Sequence, residues 1–251
     1  MSLTAILFDV DGTLADTERD GHRIAFNRAF EKFGLDWQWD VALYGKLLEV
    51  TGGKERIRHY VENYRPDYAK PSDFDDLVVQ LHKEKTGFYK EILESGAIPM
   101  RPGAKRLIQE ALDKGLKLAV VTTTTPENVT TLLQCSLDRD AVSWFDLIAA
   151  GDIVPKKKPA PDIYFWAMDR LGLGPEGCIA VEDSENGLRS SLASGVKTVI
   201  TVSDYTQNQD FSGAVAVISD LGEPNAPFRL TAGDAHGKDF ADVELLEKWT
   251  A

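Results

Sequence analysis

Three features of this 251-residue chain predict an α/β fold, a mostly parallel sheet with an inserted all-helical segment. It opens on a short apolar run. A long stretch with helical periodicity and no convincing strand follows. From Pro102 onward, apolar runs and helical patterns alternate, as expected of an open sheet layered with helices.

The first run, Ala5-Ile6-Leu7-Phe8, is unbroken by polar residues. Such a run suits a strand buried on both faces. Asp9 and Asp11 sit at its end, and Gly12 breaks it. Helical spacing then takes over. Phe26, Ala29, Phe30 and Phe33 fall at i, i+3, i+4 and i+7 before Gly34, and Ile57, Tyr60, Val61 and Tyr64 repeat the pattern before Pro66. Leu77, Val78, Leu81, Phe88, Tyr89, Ile92 and Leu93 predict a longer helix ending at Gly96. Gly21 lies where the first of these helices should begin. Glycine there costs about 1 kcal/mol relative to alanine, so an irregular entry is expected, with His22 beside it.

The alternating part begins with a helix through Leu107, Ile108, Ala111 and Leu112, stopped by Gly115. The strand Leu118–Val121 runs into Thr122, and Pro126 opens the next helix. A strand over residues 145–150, a helix through Ile163, Trp166, Ala167 and Leu171, and the strand Cys178–Val181 come next. A helix with Leu188, Ser191 and Leu192 precedes two last strands, 198–202 and 215–218. The expected organisation is a core of residues 1–15 and 97–227, a helical insertion at 16–96, and a polar tail at 228–251.

Composition narrows the function. The formal charge of −12 and the pI near 4.8 disfavour nucleic acid as a partner. No apolar run is long enough for a membrane helix, and the N-terminus reaches Asp9 too soon for a signal peptide. A cytoplasmic monomer is expected, with Cys135 and Cys178 as buried thiols of a reducing compartment, and an anionic small-molecule substrate would need cationic groups focused at its site.

Ligands of parallel sheets bind outside the carboxyl ends of the strands, and the polar residues that follow the predicted strands are informative. Asp9-Val10-Asp11-Gly12-Thr13 offers a carboxylate nucleophile and, two residues on, a carboxyl group to give and take a proton. If extended, residues 9 and 11 point to one face. Thr122 and Thr123 offer hydroxyl and backbone donors to a phosphate. Lys158, before Pro159-Ala160-Pro161, stands in a cationic island of an acidic chain. Glu182 and Asp183 end another strand, and hard divalent cations take such oxygen ligands. Asp9, Asp183 and Asp11, the last through its carbonyl, would form part of a magnesium shell, with Glu182 bound directly or through water. Each motif alone also has an ordinary reading: a turn for Asp-x-Asp-Gly, a helix cap for Glu182-Asp183 or Thr122, a solvated loop for the lysines.

The order Asp9-x-Asp11-x-Thr13, Thr122, Lys158, Glu182-Asp183 resembles the haloacid-dehalogenase-like superfamily of phosphatases and phosphomutases, over residues 4–227. The resemblance implies a Rossmann-like core, a helical cap and Mg2+. It implies Asp9 as nucleophile, Asp11 as general acid/base, Thr122 and Lys158 as phosphate ligands and Asp183 as metal ligand. Asp11 sets aside the true dehalogenases, which lack that second aspartate. Within the superfamily, Thr51-Gly52-Gly53-Lys54-Glu55-Arg56-Ile57, Ala149-Ala150-Gly151-Asp152 and Glu182–Arg189 look most like the CbbY-type, β-phosphoglucomutase-like branch. Its members include xylulose-1,5-bisphosphate phosphatases. That likeness implies substrate contacts from Glu18, Tyr44, Gly53, Lys54 and Arg56, with Lys54 and Arg56 suited to a second phosphate, and Arg101 a weaker candidate. A hexose-phosphate mutase would use the same catalytic residues and is the alternative.

Overall fold

The computed structural model describes residues 3–251. It divides into two compact units, one running to Asp16 and resuming over Pro99–Ala251, the other Thr17–Ile98.

The larger unit is built on a seven-stranded sheet. Its strands are β1 (Ala5–Phe8), β2 (Lys117–Val121), β3 (Leu147–Ala149), β4 (Cys178–Glu182), β5 (Lys197–Thr201), β6 (Ala216–Ile218) and β7 (Leu230–Gly233), in the order β3-β2-β1-β4-β5-β6-β7. The first six run parallel and β7 is antiparallel. Every residue of β1 is fully buried, which is why the run carries no polar residue. Phe8 pairs with Val120 on one side and Val181 on the other. This register brings Asp9, Val121 and Glu182 level on three adjacent strands, and the Asp9 amide donates to the Val181 carbonyl at 3.0 Å.

Helices α5 (Ala104–Asp113), α6 (Pro126–Leu132), α7 (Asp162–Leu171) and α8 (Glu185–Ala193) separate the parallel strands. One apolar cluster joins Ala5 and Leu7 of β1, Ala119 and Val121 of β2, and Ile163, Tyr164, Ala167 and Met168 of α7. Ser184, not Glu182 or Asp183, caps α8, its hydroxyl accepting from the Gly187 amide at 3.2 Å. The two acids are therefore not needed as helix caps.

Residues 228–251 are not a tail. β7 extends the sheet beyond β6, and α9 (Val243–Thr250) buries Val243, Leu245, Leu246 and Trp249. Asp242 caps α9, and the Trp249 indole donates to the Asp234 carbonyl at 2.7 Å. Arg106 of α5 donates to the carbonyls of Leu221, Gly222 and Ala241, fastening this segment. All four β7 residues are exposed, so no in–out alternation announces the strand. One of the two thiols also differs from expectation. Cys178 is buried, and burial pushes it up to about 11, whereas Cys135 is exposed in a wide helical turn at Leu133–Leu137.

The smaller unit is all-helical: α1 (Arg23–Lys32), α2 (Val41–Leu47), α3 (Gly53–Tyr64) and α4 (Phe74–Glu94). The entry at Gly21 is irregular, as expected, with residues Glu18–His22 forming a π-helical turn. A side chain at Gly21 would strike Tyr89 and Ile98, so packing outweighs helix propensity there. Phe26, Phe30, Trp37, Trp39, Tyr44 and Tyr60 form an aromatic core, with Phe26 and Trp39 ring centres 4.7 Å apart. No described helix is long and apolar enough to cross a membrane.

Candidate active site

The site of the larger unit is centred on Lys158, which precedes α7. Its ammonium donates to Asp9 Oδ1 at 2.8 Å, the Val121 carbonyl at 2.7 Å and Glu182 Oε1 at 2.7 Å. These acceptors use all three of its protons, so the side chain is fixed by the aligned ends of β1, β2 and β4. Lys158 is 5% exposed and Glu182 fully buried. Burial works against the ammonium, but the Asp9 and Glu182 carboxylates outweigh it and keep Lys158 charged, above its ordinary range.

Asp9, Glu182 and Asp183 present carboxylate oxygens that all lie within 4.8 Å of one another. One lysine does not balance three carboxylates. Burial pushes Asp9 up to about 7 against the pull of Lys158, with Glu182 and Asp11 adding repulsion. Asp183 is driven well above the carboxylate range by burial and by Asp9, against the Ser203 hydroxyl and Arg101. Glu182 Oε2 is buried and finds no hydrogen-bond partner among the described residues. An all-oxygen, electron-rich and under-compensated trio fits a hard divalent cation such as Mg2+.

The turn after β1 holds this arrangement together. The amides of Thr13 and Leu14 donate back to the Val10 carbonyl, and Gly12 donates to Ala15. Gly12 has φ +84°, and a Cβ there would fall 2.2 Å from Asp183 Oδ2. Glycine is thus demanded both by the backbone and by the carboxylate packed against it. Arg101 lies under this turn, away from a phosphate-binding role. Its guanidinium donates to the carbonyls of Gly12, Thr201, Val202 and Ser219, and it pairs with Asp16 at 3.3 Å.

Asp11 is half-buried and bridges to Ala15. Thr122 is buried at the end of β2, directly after the carbonyl that Lys158 holds. Its amide donates to Ala149 and its hydroxyl accepts from the Thr124 amide at 3.3 Å. Thr123 is half-buried. Asp9, Lys158, Glu182 and Asp183 are therefore in direct register, and Thr122 joins them through Val121.

The residues expected in the cap form a second polar group inside the smaller unit. The Tyr44 hydroxyl donates to Glu18 Oε2 at 2.5 Å and accepts from Arg56 Nη1 at 3.0 Å. Arg56 also donates to the carbonyls of Leu47 and Val50, so its guanidinium ties α3 to the preceding loop. A Cβ on Gly53 would meet the His82 ring at 2.7 Å, which gives that glycine a packing reason. Lys54 is half-buried on α3. Lys85 donates to His22 Nδ1 at 2.6 Å, and the His22 ring stacks on Tyr89.

Sequence reading missed Tyr164. Its ring belongs to the apolar core, but its hydroxyl donates to Glu182 Oε1, and burial with the Glu182 charge holds that hydroxyl well above its usual value. At i+1 from Ile163 in an apolar helix, a tyrosine looks like ordinary filling. The informative signal is that a buried tyrosine hydroxyl needs a partner.

The fold and the acid–lysine cluster define a class, and comparison with known proteins agrees. Residues 6–201 match the family model described as haloacid dehalogenase-like hydrolase, and the chain belongs to that family. Protein CbbY of Rhodobacter capsulatus is 48% identical over 88% of this chain and 95% of its own length, and the plasmid-borne CbbY of Cupriavidus necator 44% identical over 98% and 96%. A crystal structure of a mutant CbbY from Rhodobacter sphaeroides, in complex with xylulose-(1,5)bisphosphate, superposes with a TM-score of 0.82 at 41% identity, covering 88% of this chain and 96% of that one. The chain is thus a phosphatase-type enzyme of the CbbY-type, β-phosphoglucomutase-like branch.

Proposed function

We propose that this enzyme removes phosphate from a sugar bisphosphate, xylulose 1,5-bisphosphate before others, with Mg2+ as cofactor. The observation that carries the chemistry is the convergence of Lys158, Asp9, Glu182 and Asp183 at the aligned ends of three strands. The choice of substrate is supported by the 41% identical relative solved with that sugar.

Asp9 is the nucleophile. Its carboxylate oxygen forms a bond to phosphorus while the bond from phosphorus to the sugar oxygen breaks. Asp11 gives its proton to that departing oxygen. Water then attacks the acyl phosphate, Asp11 takes its proton, and Asp9 and inorganic phosphate are released. Splitting the displacement in two lowers each barrier, and the remaining task is positioning and charge neutralisation. Lys158 holds Asp9 Oδ1 in place and sets its positive charge beside the carboxylate that takes up the phosphoryl group, to which Thr122 and Thr123 would donate. Asp9 and Asp183, with the Asp11 carbonyl, would hold the magnesium, which supplies positive charge to the phosphoryl oxygens when bound. In the smaller unit, Lys54 would be the cation for a second phosphate, with Gly53 beside it and the closed Glu18–Tyr44–Arg56 cluster shaping the loop before α3.

Phosphate release from xylulose 1,5-bisphosphate with Mg2+, against a panel of sugar monophosphates, tests this. Preferential release from the bisphosphate is expected. Equal rates across the panel would remove the substrate assignment, and conversion of β-glucose 1-phosphate to the 6-phosphate would replace it with the mutase.

A further inference from the structure

Arg101 joins the turn after β1 to the opposite side of the site. It is buried, and its guanidinium carries its N–H donors in a fixed planar fork. Nη1 donates to the carbonyls of Gly12 and Thr201, the second at 3.0 Å, and Nη2 to those of Val202 at 2.8 Å and Ser219 at 2.7 Å. Nε lies 3.3 Å from Asp16 Oδ1. The Arg101 amide donates to the Leu14 carbonyl at 2.8 Å. In the sheet, β4 lies between β1 and β5. The side chain therefore links the chain after β1 to the chain after β5 and β6, across the strand end that carries Asp183. Both sides of that span touch Asp183. Gly12 packs directly against its carboxylate, and Ser203, next to Val202, donates its hydroxyl to it.

We propose that Arg101 is a positioning residue that locks the Asp11–Gly12 turn against Asp183, so that the Asp11 carbonyl and the Asp183 carboxylate meet one divalent ion. The inference rests on the phosphoryl-transfer reading given above. Glycine is the freest residue of the backbone, and Gly12 stands between the two peptide groups that matter. The amide of the first donates to the Ala15 carbonyl at 2.8 Å, and a trans peptide then turns the Asp11 carbonyl the opposite way. The carbonyl of the second is the one that Arg101 holds. Without that bond Gly12 can rotate, and Asp11 moves with it. A lysine keeps the charge but not the fork, so it cannot hold Gly12, Val202 and Ser219 together. Arg106 supplies the control. It too binds backbone carbonyls, those of Leu221, Gly222 and Ala241, but none of these belongs to the turn or adjoins Asp183 or Ser203.

The variants are Arg101→Lys and Arg106→Lys in the full chain. Calorimetric titration of the metal-stripped proteins with Mg2+ alone should show about tenfold weaker binding for Arg101→Lys, and binding within about twofold of wild type for Arg106→Lys. At saturating Mg2+, hydrolysis of p-nitrophenyl phosphate by Arg101→Lys should show kcat about tenfold lower, with KM moved by less than about threefold. Arg106→Lys should keep the wild-type kcat. Mere loosening of the fold would affect the two variants alike. Should the lysine variant not fold, Arg101→Gln takes the same measurements. Wild-type Mg2+ affinity in a folded Arg101 variant, or equal losses in the Arg101 and Arg106 variants, would overturn the proposal. A wild type that binds Mg2+ but hydrolyses no phosphate ester would sink the phosphoryl-transfer reading instead, and the titration would still decide what Arg101 does.

Discussion

Two buried polar clusters, one in each unit, differ in how completely they are satisfied. In the smaller unit, Arg56 meets two carbonyls and the Tyr44 hydroxyl, and Tyr44 meets Glu18. Cation, hydroxyl and carboxylate close on themselves. In the larger unit, one lysine faces Asp9, Glu182 and, close by, Asp183, and an oxygen of Glu182 is left over. The balanced cluster has the marks of a device that shapes a loop. The unbalanced one has the marks of a site completed by a cation and a phosphate ester. Imbalance of buried charge, more than the mere presence of polar residues, separates chemistry from architecture here.

Substitutions can break that comparison. Asp9→Asn should lower phosphate release by on the order of 10⁴-fold while the melting temperature holds or rises, because a buried like charge is removed. Retained turnover would remove the nucleophile. Lys158→Met should leave the carboxylates uncompensated and cost about 3–5 kcal/mol, read by denaturant unfolding without metal, with part of the loss restored by Mg2+. Arg56→Met should cost about 2 kcal/mol, with the Tyr44 hydroxyl and two carbonyls losing a donor, and Mg2+ should restore none of it. Restoration by Mg2+ in both variants would erase the distinction between the clusters. Trp249→Ala, a member of neither cluster, should cost about 3 kcal/mol through its lost packing with kcat within about twofold of wild type.

Much of the larger unit could be read from the chain because its signals were local. A fully buried parallel strand must be apolar throughout, so Ala5–Phe8 and the acids after it stood out, as did Glu182-Asp183 after Cys178–Val181. Lys158 was legible because it precedes a rigid proline segment in an acidic chain. β7 was not legible, because an exposed edge strand has no alternation to betray it. α9 could have been found from Asp242 as a cap and from Trp249 three residues beyond Leu246. Tyr164 and Arg101 were hidden for another reason. Their roles lie in partners more than a dozen residues away, Glu182 for one and Gly12, Thr201 and Ser219 for the other, and no local pattern encodes such meetings.

Thermal unfolding with and without Mg2+, in wild type and in Asp183→Asn, reaches the charge imbalance without needing the substrate. Saturating Mg2+ should stabilise wild type by about 2.7 kcal/mol at a hundred times its dissociation constant, and Asp183→Asn should lose most of that gain while being no less stable without metal. Equal stabilisation of the two proteins, or none in wild type, would contradict a cation site built on the carboxylates of Asp9 and Asp183.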